Sequence, residues 1–77
     1  MPTPDKLTTL RAALGLCDQN NGAVTAEAMA AHFNVELEVA VRELLPSIAE
    51  YFENKLPGDD GFAVLRSPTA EARRFVG

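Results

Sequence analysis

Two short runs with the spacing of amphipathic helices are separated by only two residues, Asn34 and Val35. The first run predicts a helix over 26–33 with Thr25 as its N-cap, and the second predicts a helix over 36–45. Asn reaches the left-handed conformation of a helix C-cap at low cost, and an apolar residue just beyond such a cap commonly packs back on the helix. The chain is therefore predicted to turn sharply between two helices.

One more helix and a very short strand are predicted before this pair. Thr3 as cap and Pro4 as first helical residue suit a helix that begins near residue 4. Apolar residues at spacings of three and four then form one stripe, which indicates a helix to about residue 19: Leu7, Leu10, Leu14 and Cys17. The turn signal at 20–22 ends this helix, and residues 23–24 leave room for only one or two strand pairings.

The chain after the second helix of the pair fits either a helix or a strand. Pro46 removes a hydrogen bond from a helix interior, so the regular helix is predicted to end or kink near Leu45. Over 47–56 some apolar residues keep a helical stripe, while 51–56 fits a strand equally well. Periodicity leaves this segment open.

A dense turn signal at 57–61 precedes the clearest strand of the sequence, at 62–66. We therefore predict a hairpin that joins 51–56 to 62–66. Residues 67–69 then open a last short helix that runs through Val76. No repeat and no linker long enough to divide the chain is present, so a single domain over residues 1–77 is expected.

The same stripes predict the buried side chains. The apolar residues on the inward arcs are Leu10, Leu14, Met29, Phe33, Leu37, Leu44, Phe62 and Val64. Ala30 and Ala40 are expected where the two central helices cross, because small residues let short helices approach closely.

From Thr25 to Leu44 the sequence resembles the helix-turn-helix superfamily. The matching positions are a capping Thr, a small residue, the Asn and Val of the turn, and two apolar residues of the second helix: Thr25, Ala30, Asn34, Val35, Ala40 and Leu44. With the flanking strand, hairpin and last helix, the order of elements looks like a winged helix. The resemblance implies a small α+β, mainly α, domain with a three-helix helix-turn-helix core, a β-hairpin wing and a short C-terminal helix. This fold serves both DNA readers and protein-interaction modules.

The distribution of charge bears on the choice between these two functions. The chain has a formal net charge of −4, and residues 25–54 contain six acidic residues and one basic residue. In a DNA-binding member the second helix of the motif would lie in the major groove and offer cationic and amide side chains. An acidic helix repels duplex DNA, because non-specific affinity for DNA comes almost wholly from contacts between cations and phosphates.

The leading hypothesis is a non-enzymatic interaction or regulatory module that binds a protein with a basic surface. The predicted interaction face on the second helix of the motif consists of Glu36, Glu38, Val39, Arg42 and Glu43. The alternative is a sequence-specific transcriptional regulator that binds duplex DNA. Its phosphate contacts would come from Arg66, Arg73 and Arg74. In a homodimer a second copy would supply the positive charge that this alternative lacks. A third interpretation is that the glutamates only form a solvated face.

Neither catalysis nor a cofactor is indicated by any motif. The sequence lacks a Ser-His-Asp order, HExxH, CxxC and a glycine-rich phosphate loop. His32 is expected on the surface, Cys17 in the core and Asp59-Asp60 in a turn. With one cysteine, no apolar stretch of membrane-spanning length and no signal-peptide pattern, we expect a cytoplasmic protein with no metal and no membrane partner.

Overall fold

The computed structural model describes residues 4–77. These residues form four helices and one small sheet. The helices are α1 (Lys6–Gln19), α2 (Ala26–Phe33), α3 (37–48) and α4 (Ala70–Val76), and a 3₁₀ turn, Ala49–Tyr51, follows α3. The strands are β1 (Ala23–Thr25), β2 (Phe52–Gly58) and β3 (Gly61–Pro68). The predicted α+β class with a predominance of helix is confirmed.

The three strands form one antiparallel sheet in the order β1-β3-β2. Val24 of β1 pairs with Leu65 of β3, and both side chains are fully buried. The predicted hairpin is present, and each of its strands is longer than the sequence indicated. A register shift between Leu56 and Pro57 accommodates the proline, which cannot donate to the ladder.

The first helix begins two residues later than predicted. Asp5 is its N-cap, because the Asp5 carboxylate accepts a hydrogen bond of 2.7 Å from the backbone N–H of Thr8. Thr3, which the sequence suggested as the cap, lies outside the described residues. The helix ends at Gln19 as predicted, and the turn after it places Asn21 and Gly22 at positive φ.

Both ends of α2 were predicted from the sequence, and the structure confirms them. The Thr25 hydroxyl accepts a 3.0 Å hydrogen bond from the backbone N–H of Ala28. Asn34 is left-handed, with φ 54° and ψ 49°, and the N–H of Val35 donates to the carbonyl of Ala30 at 3.0 Å. These bonds form the expected C-cap and set the angle at which α3 leaves α2.

Pro46 interrupts the regular hydrogen bonding of α3 without ending the helix. Residues Ala40–Leu44 form a π turn, in which the N–H of Leu45 donates to the carbonyl of Ala40 instead of that of Val41. A proline ring would clash with the carbonyl four residues before it in a regular helix, and the wider turn relieves that clash. The ambiguity over 47–56 is resolved as helix to Ile48, the 3₁₀ turn, and strand from Phe52.

The hydrophobic core gathers side chains from all four helices and from the sheet. Leu10, Leu14, Met29 and Leu44 are buried as predicted, and so are Ala30 and Ala40. Phe33, Phe62 and Val64 are only half-buried, so their predicted full burial is wrong. The prediction for Leu37 is also wrong, because this side chain is exposed.

Candidate interaction surface on the third helix

The π turn rotates the first part of α3 relative to the part that follows it. The extra residue in the turn shifts the inward stripe, so Val39 packs against the core together with Ala40 and Val41. Val39, predicted in the middle of the exposed arc, is half-buried and packs against the core. Leu37, predicted in the core, is 49% exposed.

Three glutamates of the predicted face are exposed on α3 or at its start: Glu36, Glu38 and Glu43. Glu36 is the N-cap residue of the helix, but its side chain makes no capping hydrogen bond. The carboxylate of Glu38 lies 2.6 Å from the guanidinium of Arg42, as the spacing of four residues predicted. The face is therefore acidic, with its one cation already paired.

The turn of the hairpin adds a second acidic partner to Arg42. The carboxylate of Asp60 lies 3.3 Å from the Arg42 guanidinium, and Asp60 sits at φ 59° in the turn between β2 and β3. The sequence indicated only a turn-forming role for Asp59 and Asp60. Their contribution to the acidic face follows from tertiary packing, because they lie far from α3 in the sequence.

Close packing of Gly61 against α3 holds this turn in place. A Cβ at Gly61 would overlap the carbonyl oxygen of Val41, lie 2.7 Å from the Val41 carbonyl carbon, and lie 3.2 Å from the Cα of Arg42. All three are backbone atoms, so no side chain can move to make room. The Val41 carbonyl has also lost its usual helical partners, because Leu45 donates to Ala40 and Pro46 has no N–H.

A groove of about 330 Å³ runs between the start of α3 and the hairpin turn. Its lining combines apolar side chains with charged ones: Leu37, Val41, Glu38, Arg42 and Asp59. Of the two apolar residues, Leu37 is exposed and Val41 is half-buried against the core. The groove is thus a depression with both apolar and charged lining at the edge of the acidic face.

The basic residues of the alternative hypothesis lie on two different elements. Arg66 is exposed on β3, where it pairs across the sheet with Asn54 and Ala23. Arg73 and Arg74 lie on α4, which packs against α1. The guanidinium of Arg73 is 2.8 Å from the carboxylate of Asp18.

The ion pair between Arg73 and Asp18 shifts the pKa of each partner. The hydrogen bond from Arg73, and then its positive charge, lower the pKa of Asp18 below its usual value of 3.8. The same bond raises the pKa of Arg73. Part of the predicted basic patch is therefore balanced by a carboxylate on α1.

His32 and Cys17 lie outside this surface. His32 is exposed, and its ring lies edge-on to Phe33 with the centroids 4.8 Å apart. Cys17 is buried as predicted, and burial raises the pKa of its thiol from 9.0 to about 11. Within residues 4–77, no group of three or more His, Cys, Asp and Glu side chains is arranged to hold a metal ion.

Comparison of the chain with protein-family models, with curated proteins and with solved structures finds no match. None of the helices within residues 4–77 combines the length and the apolar character needed to cross a membrane.

Proposed function

We propose that this chain is a non-enzymatic protein-interaction module that uses the acidic face of α3 to bind a basic protein surface, on a scaffold of the winged-helix type. The order of elements supports the scaffold, because a strand precedes α2 and a hairpin follows α3. The strand order β1-β3-β2, in which β1 joins the hairpin to the helices, is also compatible with a wing beside a helix-turn-helix core. This fold by itself does not select a partner.

The observation that carries the proposal is the balance of charge on α3 and the hairpin turn. Arg42 faces two carboxylates, Glu38 and Asp60, so its positive charge is answered within the domain. The exposed carboxylates of Glu36 and Asp59 add to the negative potential of the same region. A surface of this sign attracts a basic partner and speeds its association.

The same charges weigh against duplex DNA as the ligand. A DNA reader needs cations directed at phosphates, and α3 offers none that is not already paired. Of the three arginines in the alternative hypothesis, Arg73 pairs with Asp18, whereas Arg66 and Arg74 are exposed on separate elements. The DNA hypothesis therefore rests on two arginines. Tight binding to a DNA duplex in the test below would support it.

The test uses a triple variant, Glu36→Gln, Glu38→Gln and Glu43→Gln. Binding kinetics are measured for a lysine- and arginine-rich peptide and for a short DNA duplex, each at low and at physiological salt. We expect the variant to associate more slowly with the peptide, and the difference to shrink as salt rises, because screening weakens exposed charges. Neither protein should bind the duplex tightly.

A matched control separates the position of the charge from its amount. The triple variant Glu27→Gln, Glu53→Gln and Glu71→Gln makes the same change in net charge on exposed residues outside α3 and the hairpin turn. Circular dichroism verifies that both variants are folded. The control should keep most of the wild-type association rate. Equal loss in the two variants, or tight sequence-selective binding of the wild-type protein to DNA through α3, contradicts the proposal.

A further inference from the structure

We infer that the partner protein inserts an apolar side chain into the groove between α3 and the hairpin turn, and that an arginine or lysine neighbours that side chain in the partner's sequence. This inference rests on the proposed function and adds the chemistry of the partner segment. The first observation is the size of the groove. Its volume of about 330 Å³ lies at the lower end of known ligand sites, so it accommodates a single large side chain or two small ones.

The second observation is how the apolar lining comes to be there. The π turn ahead of Pro46 turns Leu37 outward, although its spacing predicts a core residue, and Val41 beside it is only half-buried. A π turn is a rare distortion that occurs frequently at functional sites. Here it converts a predicted core position into an exposed leucine in a concave surface, where a partner's apolar side chain can cover it.

The third observation is the charge around the groove, which selects among apolar occupants. Arg42 pairs with Glu38 and Asp60, and Asp59 also lines the groove, so carboxylates outnumber the one guanidinium around it. Acidic residues next to the inserted side chain would be repelled by the carboxylates around the groove. Arginine or lysine next to it would be attracted, while the apolar side chain itself contacts Leu37 and Val41.

The test uses three short synthetic peptides and the full chain. The first peptide has one aromatic or aliphatic residue between two arginines, the second replaces the arginines with glutamates, and the third replaces the apolar residue with serine. Amide chemical shifts report where each peptide binds. We expect only the first peptide to bind measurably, with shifts concentrated at residues 37–42 and 58–61.

Two leucine variants then separate the groove from the acidic face. Leu37 and Leu56 are exposed to similar extents, 49% and 44%, but only Leu37 lines the groove. We expect Leu37→Ala to weaken binding of the first peptide about tenfold, because the apolar contact is lost, and Leu56→Ala to leave it unchanged. Equal effects of the two variants overturn the inference.

The remaining outcomes distinguish this inference from the proposed function. If the triple glutamine variant weakens peptide binding but Leu37→Ala does not, the acidic face binds the partner without the groove, and only the inference fails. If neither variant weakens binding, both fail. If sedimentation equilibrium shows self-association that Leu37→Ala abolishes, a second copy of the chain fills the groove and the assignment of a basic partner is overturned.

Discussion

Truncating two leucines of α3 to alanine tests whether the π turn rotates the helix as described. Leu44 is fully buried, and a buried Leu→Ala change typically costs about 2–5 kcal/mol of unfolding free energy. Leu37 keeps only half of its surface buried, and its groove is open to water, so no sealed cavity forms. Full burial of a leucine contributes about 1.5–3 kcal/mol. About half of that is at stake at Leu37, and alanine keeps the Cβ contact, so the expected cost is about 1 kcal/mol.

Thermal unfolding followed by far-UV circular dichroism separates these values. For a domain of this size, 1 kcal/mol corresponds to a change in Tm of about 4–8 °C. Leu44→Ala should therefore lower Tm by about 10 °C or more, and Leu37→Ala by less than about 8 °C. Val39→Ala serves as an internal check, because Val39 packs against the core only if the helix is rotated. A cost at Leu37 equal to that at Leu44, with none at Val39, would refute the rotation and restore a regular helix.

Three further outcomes follow from single contacts. Gly61→Ala should destabilise the fold by about 1–3 kcal/mol in urea unfolding, because the added methyl group overlaps the Val41 backbone. Gly15 lies in a helix interior with open space around it, so Gly15→Ala should stabilise the fold by about 0.5–1 kcal/mol. The folded-state pKa of Asp18 is lowered, so the stability that its ion pair provides is present above about pH 4 and is lost as pH falls through the folded pKa. Asp18→Asn should thus be less stable than the wild-type protein at neutral pH, and urea titrations should find the difference vanishing in acid. Cys17 should resist a thiol reagent at pH 8 until urea unfolds the chain, since its thiol is buried with a pKa near 11, and rapid labelling of the native protein would contradict that burial.

Local signals in the sequence were sufficient to predict the turn between α2 and α3. The hydroxyl of Thr25, the left-handed Asn34 and the N–H of Val35 act over three to five residues, so their roles can be inferred from spacing alone. The order of elements was predicted in the same way. The boundary at Phe52 lies in the segment where the helix and strand signals competed, whereas the first helix begins at Lys6 because Asp5 is its N-cap.

The candidate site could be predicted only in part, because one residue changes the phase of a whole helix. Pro46 indicated a disturbance of α3, but periodicity assumes a constant turn and cannot convert a disturbance into a rotation. Leu37, predicted in the core, is therefore exposed, and Val39, predicted on the exposed face, packs against the core. The carboxylate of Asp60 was missed for another reason, since only tertiary packing brings the hairpin turn to Arg42.

The position of β3 at the centre of the sheet has a consequence for how the chain reaches its native state. β3 pairs with β1, whose residues lie about 40 positions earlier, and with β2, which directly precedes it. During synthesis α1, α2 and α3 leave the ribosome before either outer strand has a partner. The sheet therefore cannot form before residues 61–68 have emerged, and pulse-labelling hydrogen exchange during refolding should find the amides of β1 protected no earlier than those of β3.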